Sequence, residues 1–141
     1  MIKEHSEIRT ILVVDDYTDT REMVQRFLEA KGYRVIAGAN GQEALEIAIR
    51  ERPDAILMDL SMPVLDGFTA TRLIREIEDL DDVPIVAITA YGTFGQEFHH
   101  HFEGRGVGIS ECLSKPINFA ELETLLGKLL SEKKVKAKSQ A

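Results

Sequence analysis

The chain has 141 residues, of which 44% are hydrophobic and 29% charged, with a single cysteine. That length suits one domain, burying roughly two-thirds of its unfolded surface without a disulfide staple. The net charge is -7, and because Ser131–Ala141 contributes +3, the remaining residues carry -10. Such an acidic body lacks the basic face that a nucleic-acid partner requires. No apolar stretch nears the ~20 residues of a membrane span. The opening residues MIKEHSEIR have no apolar signal-peptide core. With one cysteine, these features point to a reducing cytoplasm and to neither nucleic acid nor membrane as partner.

Along the chain, short apolar runs alternate with helical patterns. A strand is expected at Thr10–Val14. A helix follows over Asp19–Lys31, capped by Asp19 with Glu22, presenting Met23, Phe27, Leu28 and Ala30 and stopped by Gly32. A second strand is expected at Tyr33–Ala37. The helix Gly41–Arg50 has Asn40 as its N-cap and Glu43 three residues on. Pro53 breaks the chain, and Ala55–Asp59 reads as a buried strand. Asp66 precedes a helix over Gly67–Ile77 showing Phe68, Leu73, Ile74 and Ile77. Pro84 opens the strand Ile85–Thr89.

Tyr91–Ser110 is glycine-rich, and Phe94, Phe98 and Phe102 recur every four residues, which predicts a short helix with an aromatic core-facing stripe. Within it, His99-His100-His101 point around a helix rather than to one side, as an exposed run does and a metal site does not. A short strand Cys112–Ser114 leads to a last helix, capped by Asn118 with Glu121, whose stripe is Leu122, Leu125, Leu126, Leu129 and Leu130. The lysine-rich end Ser131–Ala141 reads as a frayed, solubilising tail. The domain is therefore expected over 10–130, between an N-terminal extension at 1–9 and the tail at 131–141. Alternating strands and helices with right-handed crossovers give an α/β, doubly wound, five-stranded parallel sheet covered on both faces.

In such a sheet, sites form beyond the carboxyl ends of the strands. There the sequence places Asp15-Asp16, Asp59, Thr89 and Lys115-Pro116. Three gathered carboxylates repel one another unless a cation relieves them. A hard divalent ion with oxygen ligands does so, and Mg2+ fits best, with Mn2+ as the alternative. An ammonium beside that cluster implies a ligand with further negative charge, such as a phosphoryl group. Thr89 offers a hydroxyl to it, and Asp59, alone at the end of the central apolar run, is the best nucleophile for an aspartyl phosphate. Pro116 fixes the chain after the lysine and is a candidate for a cis bond.

Taken together, Asp15-Asp16, Asp59 within MDLSMPVLDG, Thr89-Ala90 and Lys115-Pro116 resemble the receiver domain of two-component response regulators, over about Thr10–Leu130. The resemblance implies a flavodoxin-like sheet of strand order 2-1-3-4-5. Asp59 would accept phosphate from a phosphohistidine on a sensor histidine kinase or a histidine phosphotransfer protein. Asp15, Asp16, Asp59 and the backbone carbonyl of Ser61 would hold Mg2+. Thr89 and Ala90 would sense the phosphoryl group and Lys115 would pair with it. Met62, Pro63, Asp66 and Gly67 would shape the loop after Asp59. Output would then fall to an unidentified downstream protein or to onward phosphotransfer, with no enzymatic turnover of other substrates.

Two positions depart from the family. Cys112 stands where an aromatic switch residue is usual, with Tyr91 as a substitute, and the stretch from Thr89 to Lys115 is longer than usual. Three rival readings accompany the resemblance. One is an aspartyl-nucleophile phosphatase, disfavoured by Ser61 where such enzymes carry an acid/base aspartate. Another is a non-phosphorylated scaffold. The third is a receiver excised from a hybrid histidine kinase.

Overall fold

A computed structural model describes residues 8–60, 62, 65–89 and 108–140, with side chains through residue 132. Strands β1 (Thr10–Val14), β2 (Arg34–Gly38), β3 (Ala55–Asp59), β4 (Ile85–Thr89) and β5 (Glu111–Ser114) form one sheet. Its order is β2-β1-β3-β4-β5, and every pairing is parallel. The helices among the described residues are α1 (Thr18–Ala30), α2 (Gly41–Glu51), α3 (Gly67–Arg75) and α4 (Phe119–Gln140). The expected Phe94/Phe98/Phe102 helix, the His99–His101 run and Tyr91 lie outside the described residues, as do Ser61, Pro63 and Ala90.

The unbroken apolar runs predict strands buried on both faces, and β1, β3 and β4 are. Alternate residues serve opposite layers. Ile11, Val13, Leu57, Val86 and Ile88 pack with Val24 and Leu28 of α1 and with Leu122, Leu126, Leu129 and Leu130 of α4. Leu12, Val14, Ile56, Met58 and Ile85 pack with Ala44 and Ala48 of α2 and Ala70 and Ile74 of α3. Phe27 of α1 meets Phe119 of α4 with ring centroids 4.7 Å apart, joining the two helices on one face.

Several boundaries differ from the sequence reading. Helix α1 starts behind Tyr17, without a side-chain cap, so Asp19 and Glu22 form no capping box. The Tyr17 N–H donates instead to Asp15 Oδ1 at 2.9 Å, which turns the chain into the helix earlier. Asp19 then lies in the first turn, where a carboxylate suits the helix dipole. The buried face of α1 is Val24 and Leu28, whereas Met23 is 54% exposed. Gly32 ends the helix region at φ +99°, a conformation that favours glycine. Strand β2 begins one residue later than expected.

Helix α2 matches its reading. Asn40 accepts from the Glu43 N–H at 2.9 Å, and the Glu43 carboxylate accepts from the Ala39 N–H at 2.8 Å. Helix α3 stops at Arg75, short of Ile77. In α4, Asn118 accepts from the Glu121 N–H at 3.0 Å, as the cap requires. The helical backbone then runs through the expected frayed tail to Gln140.

Candidate functional site

The carboxyl ends of β1, β3 and β4 and the residue after β5 converge at one edge of the sheet. Asp15 follows β1 and is 3% exposed. Its N–H donates to Gly38 at the end of β2, and Arg21 of α1 donates to its carbonyl at 2.8 Å. Asp16, next in the chain, is exposed. Asp59 is the last residue of β3 and is 2% exposed. The following Leu60 N–H donates to Ile88 of β4 at 3.0 Å, fixing the chain as it leaves the strand. Thr89 closes β4 and is buried. Its carbonyl accepts the Lys115 N–H at 2.7 Å, so the lysine is placed from the neighbouring strand.

Lys115 reaches back across the site. Its Nζ donates to Asp59 Oδ2 at 3.3 Å and lies 3.4 Å from Asp15 Oδ2. Burial works against its ammonium, but the Asp15 and Asp59 carboxylates outweigh it and hold the lysine above its ordinary pKa. The peptide bond from Lys115 to Pro116 is cis, as anticipated.

One carboxylate oxygen each from Asp15, Asp16 and Asp59 lies within 4.8 Å of the others. Three carboxylates with one ammonium leave two negative charges, which a divalent cation balances. The donors are all hard oxygens, two buried and one open to solvent. That set suits an ion that keeps water ligands, as Mg2+ does.

The loop after Asp59 is set by packing. Met62 is buried in the layer beneath α2 and α3. Asp66 caps α3, accepting the Thr69 N–H at 2.8 Å. Gly67 lies against the strand end, because a Cβ there would sit 2.3 Å from the Asp59 carbonyl oxygen. Only glycine allows that approach.

Cys112 is half-buried on β5, opposite Ala87 of β4. Both join a small cluster with Leu60, Phe68 and Ile109. The aromatic bulk of this cluster thus comes from Phe68 on α3 rather than from β5. Burial pushes the Cys112 thiol pKa up, and Glu111 adds to it.

The sequence reading did not find Arg21, the close contact at Gly67, or Arg75. The Arg75 guanidinium, at the end of α3, donates through Nη1 to the Leu80 carbonyl at 3.0 Å and through Nε to the Gly108 carbonyl at 2.9 Å, with Nη2 also on Gly108. Only the fold brings Arg75 to Gly108, and no spacing in the chain encodes the contact.

A parallel five-stranded sheet whose carboxyl edge gathers three aspartates, a threonine and a lysine defines a class of phosphate-handling signalling module. The chain belongs to the response regulator receiver domain family, whose model matches residues 11–127. Among curated relatives, the polar-differentiation response regulator DivK of Brucella anthropi is 31% identical over 119 residues, covering 84% of this chain and 97% of that one. Among solved structures, the receiver domain of sensor histidine kinase PA1611 from Pseudomonas aeruginosa, with magnesium in its active-site cleft, is 38% identical with a TM-score of 0.78. That match covers 88% of this chain and 98% of the other. The chemotaxis protein CheY4 of Vibrio cholerae is 33% identical with a TM-score of 0.77, covering 86% and 98%.

Proposed function

We propose that Asp59 is a phosphoacceptor, receiving a phosphoryl group from a phosphohistidine on a sensor histidine kinase or histidine phosphotransfer protein. The observation that carries this reading is the bridge of Lys115 between two buried carboxylates, 3.3 Å from Asp59 and 3.4 Å from Asp15. An ammonium so placed stands ready to pair with incoming phosphoryl oxygens.

Asp15, Asp16 and Asp59, with the Ser61 carbonyl, would hold Mg2+. When bound, the ion neutralises charge on the phosphoryl oxygens. A carboxylate oxygen of Asp59 then forms a bond to phosphorus as the donor's P–N bond breaks, and that bond's electron pair stays on the imidazole nitrogen. Lys115 moves from carboxylate to phosphoryl oxygen, and the Thr89 hydroxyl and the Ala90 backbone meet the same group. The negative charge added at Asp59 favours one of two conformations, and altered protein binding is the output. The protein acts in a reducing cytoplasm, on protein partners and without turning over other substrates.

The test is incubation with acetyl phosphate and Mg2+, followed by intact-mass measurement. The expected result is a gain of one phosphoryl group, abolished by Asp59→Asn. An unmodified chain at every Mg2+ concentration refutes the reading. A second reading, that the chain works as a relay receiver of the hybrid-kinase kind, draws on its 38% identity to a sensor-kinase receiver. Transfer of the label from Asp59 onward to a phosphotransfer histidine is its expected signature.

A further inference from the structure

Strand β5 is gripped at both ends by groups that lead back to Asp59. At its exit, Lys115 touches the Asp59 carboxylate directly, at 3.3 Å. At its entrance, Gly108 is held by Arg75, whose Nε donates to its carbonyl at 2.9 Å and whose Nη2 donates to the same oxygen. Arg75 is the last residue of α3, and Gly67 is the first. Gly67 packs so closely on the Asp59 carbonyl that no atom fits between them. Helix α3 is therefore a short rod with one end against the backbone of Asp59 and the other clamped to the entrance of β5.

The clamp is built into the fold. Arg75 is half-buried and divides its donors between Leu80 and Gly108. Gly108 has φ +92°, and a Cβ there would meet Arg75 Nε at 2.3 Å. Two residues on, the Ser110 N–H donates to the Ile85 carbonyl at 2.8 Å, and Ser110 Oγ accepts the Ile85 N–H at 3.1 Å, tying the entrance to β4 as well. At the rod's Asp59 end, one residue after Gly67, Phe68 packs in the cluster that contains Cys112. A close-packed interior passes displacement along such contacts instead of absorbing it.

We propose that Arg75 is a positioning residue that carries the phosphorylation state of Asp59, through α3, to the entrance of β5. The strand then answers from both ends together, through Lys115 at one and Arg75 at the other. With Cys112 in its second position, β5 has no aromatic side chain of its own to rotate, and its position as a whole is the variable. This inference rests on Asp59 being the phosphoacceptor.

The experiment uses the full chain, labelled with nitrogen-15, with and without acetyl phosphate and Mg2+, and with intact mass confirming modification. Amide resonances of Ile109, Ser110 and Glu111 report the entrance, and those of Ser114 and Lys115 the exit. In the wild type, both sets are expected to move on phosphorylation. In Arg75→Lys, which keeps the charge and loses the two-pronged grip, movement at the entrance is expected to fall about threefold or more while the exit moves as before. Gly108→Ala, which displaces the guanidinium from the other side, is expected to do the same. A merely structural role would shift the resting spectrum and leave the phosphorylation-dependent difference intact. Entrance movement as large in both variants as in the wild type overturns the inference, as does a phosphorylated wild type whose entrance does not move. A wild type that takes up no phosphoryl group overturns the phosphoacceptor reading and this inference with it.

Discussion

Replacing Gly67 with alanine sets two physical effects against each other. In a helix, alanine is better than glycine by up to about 1 kcal/mol, so propensity alone predicts a more stable protein. The packing predicts the opposite. The added Cβ would lie 2.3 Å from the Asp59 carbonyl oxygen and 2.9 Å from Leu60 Cα, both backbone atoms that cannot rotate away. Overpacking of this kind costs about 1–3 kcal/mol. At the first helical position the propensity gain is smallest, so a net loss of about 1–2 kcal/mol is expected, lowering Tm by roughly 3–7 °C in a domain of this size.

Gly127 is the matched control. It is exposed in the interior of α4, and a Cβ there meets nothing within 4 Å. Gly127→Ala is expected to stabilise by about 0.5–1 kcal/mol. Urea titration followed by circular dichroism, with a thermal melt, reads both. The two glycine variants should move in opposite directions. A Gly67→Ala protein as stable as the wild type, alongside a stabilised Gly127→Ala, would refute the close contact between α3 and the end of β3.

Lys115→Met is expected to tighten Mg2+ binding about tenfold or more, because the cluster goes from two net negative charges to three. Calorimetric titration measures it, and unchanged affinity would place the ammonium outside the cluster's field. The raised pKa of Lys115 also fixes a pH window. Its ion pairs contribute stability fully below the ordinary lysine value of 10.5 and lose it as pH rises through the higher folded value, so alkaline melting curves of wild type and Lys115→Met should converge only there. Cys112 is half-buried with its thiol pKa pushed above the ordinary 9.0, so iodoacetamide at pH 8 should modify it more slowly in the folded protein than in urea. Equal rates would contradict the packing against Phe68 and Ala87.

The edge of the sheet was legible in the sequence because strand ends announce themselves. Asp15, Asp59, Thr89 and Lys115 each terminate an apolar run, and a parallel sheet leaves such residues no other place to go. The phase of α1 was less legible. Met23 and Val24 are adjacent and both apolar, and only the direction in which Asp15 turns the chain decides that Val24 faces the core. The capping reading at Asp19 failed for the same reason. Arg75 was invisible, since an arginine in the last turn of a helix ordinarily faces water. Its partner Gly108 is 33 residues away and no periodicity links them. The aromatic contribution of Phe68 to the Cys112 cluster likewise depends on how α3 lies on the sheet, which pattern alone does not specify.

The strand order β2-β1-β3-β4-β5 has a consequence for how the molecule comes into being. Asp15, Asp59 and Lys115 are far apart in the chain, and the β1–β3, β3–β4 and β4–β5 pairings must all form before they meet. Parallel pairings of this range are made slowly, after long loops have closed. A chain with its last strand undocked would have its carboxylates without their ammonium, however native its first half. The complete site is thus a product of completed assembly, present only once the last strand has docked.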